Sequence, residues 1–477
     1  MLKELISKEF FNNLYNLRFI VGIILCVFLT VSCVIILTYD YKKELEDYNY
    51  RISIQNDFLE KYAHTNRMGP LIQVQKPPEK FRPLIIGISK DAELGSFDDN
   101  PLSVLFPPLD FLFIITIIVS LMAIMFSYDS ISGEREQGTL KLMASYSHSR
   151  AKILFSKWIG GLLSLLVPFS LSLLIGGIFI AIHPAIFWDI SDWASFALLL
   201  LTSIIFTSIF YLLGLMVSSF TKFSSTSIIT SLFLWVLFIL VVPNISPYIS
   251  AQLYSIPSVN KIEREVNRLL GIERDELGRT LSRAVTQKYK EKYGNLFGEY
   301  ISMNKASLEQ RLKKDETLKI MHETYRKEFN DAWSEANRIQ GEKAEKIRKE
   351  LDSKSAKQNI IAKNLACISP YSNFMYIATD LTGTGLHGLD YFERFSGQYY
   401  KTFHEYLSKK TREASQKNPT FDSNSFIDIS DRPRFSFKEE PLNYKLKTVL
   451  PYLGILIFFN FLFFILAFIK FMKYDVR

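Results

Sequence analysis

The chain has 477 residues, of which 48% are hydrophobic and 22% charged, with 39 Phe, three Cys and a formal net charge of +8. Its length exceeds one ordinary domain, and a mean hydropathy only slightly above zero suits a chain divided between lipid and water. The basic residues are interspersed with acidic ones and form no block with interleaved aromatics, which argues against nucleic acid as a partner. Cys26 and Cys33 share one apolar run and Cys367 stands alone, so neither a disulfide framework nor a metal site is expected.

Residues 1–17 place Leu2, Leu5, Ile6, Phe10, Leu14 and Leu17 at helical spacing, the pattern of an amphipathic helix lying in a membrane interface. Six apolar runs follow, at 18–38, 109–127, 158–182, 195–217, 223–242 and 449–469, each near the roughly 20 residues a bilayer requires. The first is too long for a signal core and lacks a small-x-small cleavage site, so it is expected to be retained. Ionisable side chains are confined to the run ends, at Arg18 and Asp110.

Orientation follows from the short connections. Lys3, Lys8 and Arg18, the five basic residues of 128–157, Lys222, and Lys470, Lys473 and Arg477 all fall on one side. The segment His183–Ala194 on the other side has no Lys or Arg. The positive-inside rule then places both termini in the cytoplasm of a prokaryotic inner (plasma) membrane. Residues 39–108 become a small extracytoplasmic insertion and 243–448 a large, mainly helical extracytoplasmic domain, with 470–477 a cytoplasmic tail. In that domain Val259, Ile262, Val266, Leu269 and Leu270 form one apolar stripe, and Leu277, Leu281, Val285 and Tyr289 another. Tyr325, Phe329, Trp333 and Ala336 continue at a spacing of about four, with breaks expected at Gly271, Gly294 and Gly298. The expected fold is an all-α polytopic membrane protein with six transmembrane helices.

Catalytic chemistry has no foothold. The phosphate loop of common ATPases, the nucleophile elbow and the His-Glu-x-x-His zinc helix are all missing from the sequence. The six histidines, at positions 64, 148, 183, 322, 387 and 404, are dispersed. No enzyme activity, cofactor or metal is therefore expected in the chain. Spans without ionisable interiors also argue against ion-coupled transport, which uses such groups to bind or relay the coupling ion. Thr202, Ser203, Thr207, Ser208, Thr230 and Asn460 suit helix–helix hydrogen bonding better than a path.

The connection 128–157 is the most informative stretch. Gly138-Thr139-Leu140-Lys141-Leu142-Met143 reads as the start of a short helix with Thr139 as N-cap. Leu140, Leu142 and Met143 offer apolar contacts, Glu134 and Glu136 offer charge, and Trp158 follows as an interfacial anchor. The run Ser132-Gly-Glu-Arg-Glu-Gln-Gly-Thr-Leu-Lys-Leu-Met, then Arg150 and Lys157 entering the third span, resembles the same region of ABC-2 class permeases. These are membrane subunits of ATP-binding-cassette transporters. Glu134 and Glu136 match the family's acids, Gly138-Thr139-Leu140 its core, and Ser156 stands where glycine is usual. The ending Lys473-Tyr-Asp-Val-Arg477 is also similar to many such permeases. Ser369-Pro-Tyr and Leu381-Thr-Gly-Thr-Gly, with the large insertion, resemble the subgroup related to nitrous oxide reductase maturation and gliding-motility permeases.

The resemblance implies two permease chains, expected as a homodimer, around a central path, each resting on a separate ATPase that binds ATP and Mg. Glu134, Glu136, Gly138, Thr139, Leu140, Leu142 and Met143 would form the ATPase-coupling segment of an exporter-type transporter. Membrane lipid is the surrounding partner. The alternative is a non-transporting complex that transmits ATPase work across the membrane to a partner of the extracytoplasmic domain. A sensor or adhesin without ATPase would leave the Glu134–Lys157 pattern unexplained.

Overall fold

The computed structural model describes residues 2–61, 74–87, 109–140, 149–417 and 426–473. Those residues are helical almost throughout. Among the described residues six helices are long and apolar enough to cross a membrane: Leu17–Lys61, Phe111–Glu136, Arg150–Ile182, Ile190–Phe220, Ser224–Leu253 and Leu442–Met472, here called spans 1 to 6. Each overlaps one of the six predicted runs, with spans 2 and 5 beginning two residues and one residue inside theirs.

Several spans outrun their apolar cores. Span 1 continues as one helix to Lys61, since no proline or glycine interrupts the chain after Gly22. The first part of the 39–108 insertion is thus a helical extension. Its end packs through Leu59 onto Phe403, Ile427 and Ile429, and Arg432 reaches Asn56 (3.1 Å) and Glu60 (3.4 Å). Span 4 begins with a reciprocal cap in which Asp189 accepts from the Asp192 amide and Asp192 from the Asp189 amide, both at 2.9 Å. Span 3 is continuous through position 168.

Span 4 is the central post of its unit. Phe206, Ile209, Phe210, Leu212, Leu213 and Leu215 are all fully buried. Spans 2, 3, 5 and 6 and the helix Pro370–Thr382 pack around it. Gly214 permits the closest approach of span 2: a Cβ there would lie 2.0 Å from Ser127 Oγ. Polar span residues bond within their own helix or across to a neighbour. The Thr202 and Ser203 hydroxyls donate to Leu199 O, Trp158 Nε1 to Ser208 Oγ (3.0 Å), and Asn460 Nδ2 to Ile205 O across to span 4.

Two spans contain π-helical turns, 114–119 in span 2 and 237–241 in span 5. Pro243 has no N–H to donate, which frees carbonyls one turn earlier. Ser369 supplies the missing donor: its hydroxyl bonds to Phe238 O, and its side chain also caps the helix Pro370–Thr382.

That helix was expected within a single 243–448 domain. Instead the chain divides into a unit of residues 245–365 and a unit containing 1–244 and 366–477. Phe374 stacks on Phe206 with ring centroids 4.6 Å apart, so residues 370–382 belong to the core of the membrane unit.

The 245–365 unit is built from helices. One runs over 259–293 with a π turn at Leu269–Glu273, and a second, Glu316–Ala366, packs with it. Val266 and Leu269 meet Ala344, and Tyr289 and Phe297 meet Leu318 and Met321. The predicted break at Gly271 is absorbed by the π turn, whereas Gly294, at φ +52°, does end the helix. Gly298 lies inside Asn295–Ser302. Gly278 is needed where Trp333 crosses, because a Cβ would come within 2.4 Å of the indole.

Candidate functional site

After span 2, residues 128–131 form a turn and Ser132–Glu136 a short helix. This segment is fastened by neighbours on several sides. Arg18 at the start of span 1 bonds Asp129 Oδ2 (3.0 Å) and Tyr128 Oη (3.0 Å). The amides of Ile131 and Ser132 both donate to Ser218 Oγ, near the end of span 4. Arg135 donates to Thr221 O (2.5 Å) and Ser219 O (3.4 Å), where the last carbonyls of that helix lack intrahelical partners. Span 5 contributes Ser227, which donates to Tyr128 O, and Ser224, which donates to Glu136 Oε2 (2.6 Å).

The focus is Lys157. Its side chain is only 2% exposed, and its ammonium donates to Glu134 Oε1 (2.6 Å) and Glu9 Oε1 (3.2 Å). Glu9 lies on the N-terminal helix Leu2–Leu14. An isolated ammonium buried this far would be strongly disfavoured; two carboxylates offset that cost and fix the geometry. The local sequence explains the approach. Gly160 lets the N-terminal helix close in, since a Cβ would lie 2.8 Å from Ile6 O and Glu9 Cβ. Gly161 leaves room for Tyr211, whose hydroxyl donates to Lys157 O (3.1 Å). One charge thus connects the N-terminal helix, the connection and span 3.

The predicted residues separate into three groups. Glu136, Gly138 and Thr139 are exposed, with Gly138 in the left-handed region at φ +74°. Glu134 is half-buried and committed to Lys157. Leu140 is 1% exposed and packs in the chain's own core, so it does not offer the docking contact expected of it. The Thr139 hydroxyl donates backward to Glu134 O (3.2 Å). Leu142 and Met143 lie outside the described residues, as do 474–477 of the tail.

Sequence reasoning matched Lys157 to a basic position but missed its partner Glu9, and Gly160, Gly161 and Tyr211 as well. The Gly-Gly pair just after the lysine was the available signal for a close helix crossing. Among the described residues no group of three or more His, Cys, Asp or Glu is placed to hold a metal. The arrangement holds a short polar segment rigidly against several helices and exposes its tip.

The family model for ABC-2 family transporter protein matches residues 4–476. No curated protein matches the chain.

Proposed function

The chain belongs to the ABC-2 family of transporter proteins, and on that premise we propose that residues 128–157 couple a separate ABC ATPase to the spans. Family membership supports a membrane permease subunit with such a partner. The observation that carries the finer reading is the buried bridge of Lys157 to Glu9 and Glu134. A push on the exposed tip at Glu136–Thr139 would pass through Glu134 to span 3 and the N-terminal helix together. It would also pass through Arg135 and Ser132 to the end of span 4.

In this reading ATP and Mg are bound by the partner, and two permease chains pair as a homodimer with cytoplasmic termini. The transporter is of exporter type, in the subgroup named above, with residues 243–448 outside the cytoplasm. The second reading, transmission of ATPase work to an extracytoplasmic partner, is favoured by the separate compactness of residues 245–365.

The test is co-purification of the partner ATPase with the wild-type chain and with a Glu136→Lys, Thr139→Asp double variant. Both positions are exposed; Leu140 is avoided because a charge there would disturb the core. Loss of the ATPase with an unchanged thermal midpoint is the expected result. Retention of the ATPase with full ATP turnover would sink the coupling assignment.

A further inference from the structure

A cavity of about 50 Å³ lies beside the first turn of span 6, where residues 74–87 pass the loop that follows Pro370–Thr382. Its walls are charged and apolar at once. Pro77, Pro78, Phe81, Tyr391 and Phe437 supply flat apolar surface, and Lys445 lines it from the start of span 6.

The charges around it are almost all paired. Lys80 contacts Asp192 (2.8 Å) and Glu439 (3.5 Å), and these carboxylates outweigh the burial that opposes its charge, holding its pKa above the ordinary lysine value. Lys76 contacts Glu79 (2.5 Å) and donates to Gly383 O (3.0 Å). Glu440 contacts His387 (2.9 Å).

Lys445 is the exception. It is 6% exposed, and its ammonium has one acceptor, Leu381 O at 3.2 Å. Among the described residues no carboxylate lies within 4.0 Å of it. An ammonium has three donors, so two remain for whatever occupies the cavity. The N-terminus of a 31-residue helix adds positive potential at the same place.

We propose that this cavity binds the carboxylate of a small organic acid with an apolar body. The carboxylate meets Lys445 Nζ in the cavity, and the body lies against Phe81, Tyr391 and Phe437 at its walls. An ammonium with no described carboxylate within 4.0 Å matches a monoanion. A phosphate dianion would bring surplus negative charge against Glu79, Glu439 and Glu440, and an organic cation would find those carboxylates already engaged. The site is remote from the coupling segment. Arg150 bonds Met472 O at the other end of span 6 (2.6 Å), about 40 Å from Lys445 along the helix at 1.5 Å per residue. The proposed acid therefore meets the membrane face opposite the proposed ATPase, and its binding is measured without that partner.

The experiment uses the full chain in detergent, with benzoate as probe and benzamide as its uncharged counterpart, read by saturation-transfer NMR and calorimetry. Saturable benzoate binding at least tenfold tighter than benzamide is expected, with at least tenfold loss in Lys445→Met. Tyr391→Ala and Phe437→Ala should weaken benzoate more than acetate, which has no ring to lose contacts. Equal binding of benzoate and benzamide, no binding of either, or unchanged benzoate affinity in folded Lys445→Met overturns the proposal. If Lys445→Met does not fold, the benzamide comparison and the two wall variants decide.

Discussion

Lys157 and Arg338 each bind two glutamates, yet the two clusters do different work. Lys157 is 2% exposed between Glu9 and Glu134, which come from elements far apart in sequence. Arg338 is 56% exposed between Glu335 and Glu342, its neighbours three and four residues away on one helix. The first bridge is screened from water and ties three elements together. The second decorates a helix that would form without it. Counting ion pairs would rank them equally; burial and sequence separation rank them far apart.

The sharpest way to break that contrast is Lys157→Met. It leaves two carboxylates facing a buried gap and should cost about 3–5 kcal/mol, seen as a large drop in the thermal midpoint of the detergent-solubilised protein. Adding Glu9→Gln and Glu134→Gln should recover much of the loss. If the single variant melts like wild type, the bridge is not the fastening it is taken to be.

Removing the Phe374 ring from its stack on Phe206 should cost a similar amount, about 3–5 kcal/mol for Phe→Ala. A negligible effect would detach residues 370–382 from the membrane core.

Glycines sharpen the comparison because one substitution should change sign between the regions. At Gly161 a Cβ would sit 1.7 Å from the Tyr211 hydroxyl oxygen, so Gly161→Ala should destabilise by about 1–3 kcal/mol. At Gly341, inside the helix Glu316–Ala366, nothing lies within 4 Å. Gly341→Ala should stabilise the 245–365 unit by about 0.4–1 kcal/mol, read from amide-exchange protection of that helix. Equal effects at the two positions would contradict the packing described.

The smallest expected effect is at Arg338→Ala, which should leave the thermal midpoint unchanged within error. A clear drop there would mean that the exposed cluster has a structural role its geometry does not suggest.

What was legible in the sequence depended on local pattern. The six spans could be read from apolar length alone, because a helix in lipid must satisfy its backbone internally and be apolar along some twenty residues. The stripes Val266–Leu269 and Tyr325–Phe329 were legible for the same reason, a period set within one helix. The polar run around Gly138 was readable as a connection between spans, and the exposed tip Glu136–Thr139 lies there. The burial of Leu140 was not legible, since local pattern does not say which distant side chains will cover a leucine in a polar connection.

The sequence by itself determined the class of the molecule: helical and membrane-spanning. Only the tertiary structure decided that Glu9 meets Lys157, that Ser369 takes the carbonyl of Phe238, and that Lys445 donates to Leu381 O. Those contacts join residues 148, 131 and 64 positions apart. Periodicity encodes which face of a helix is apolar, but partners at such separations are chosen by how the helices pack against one another.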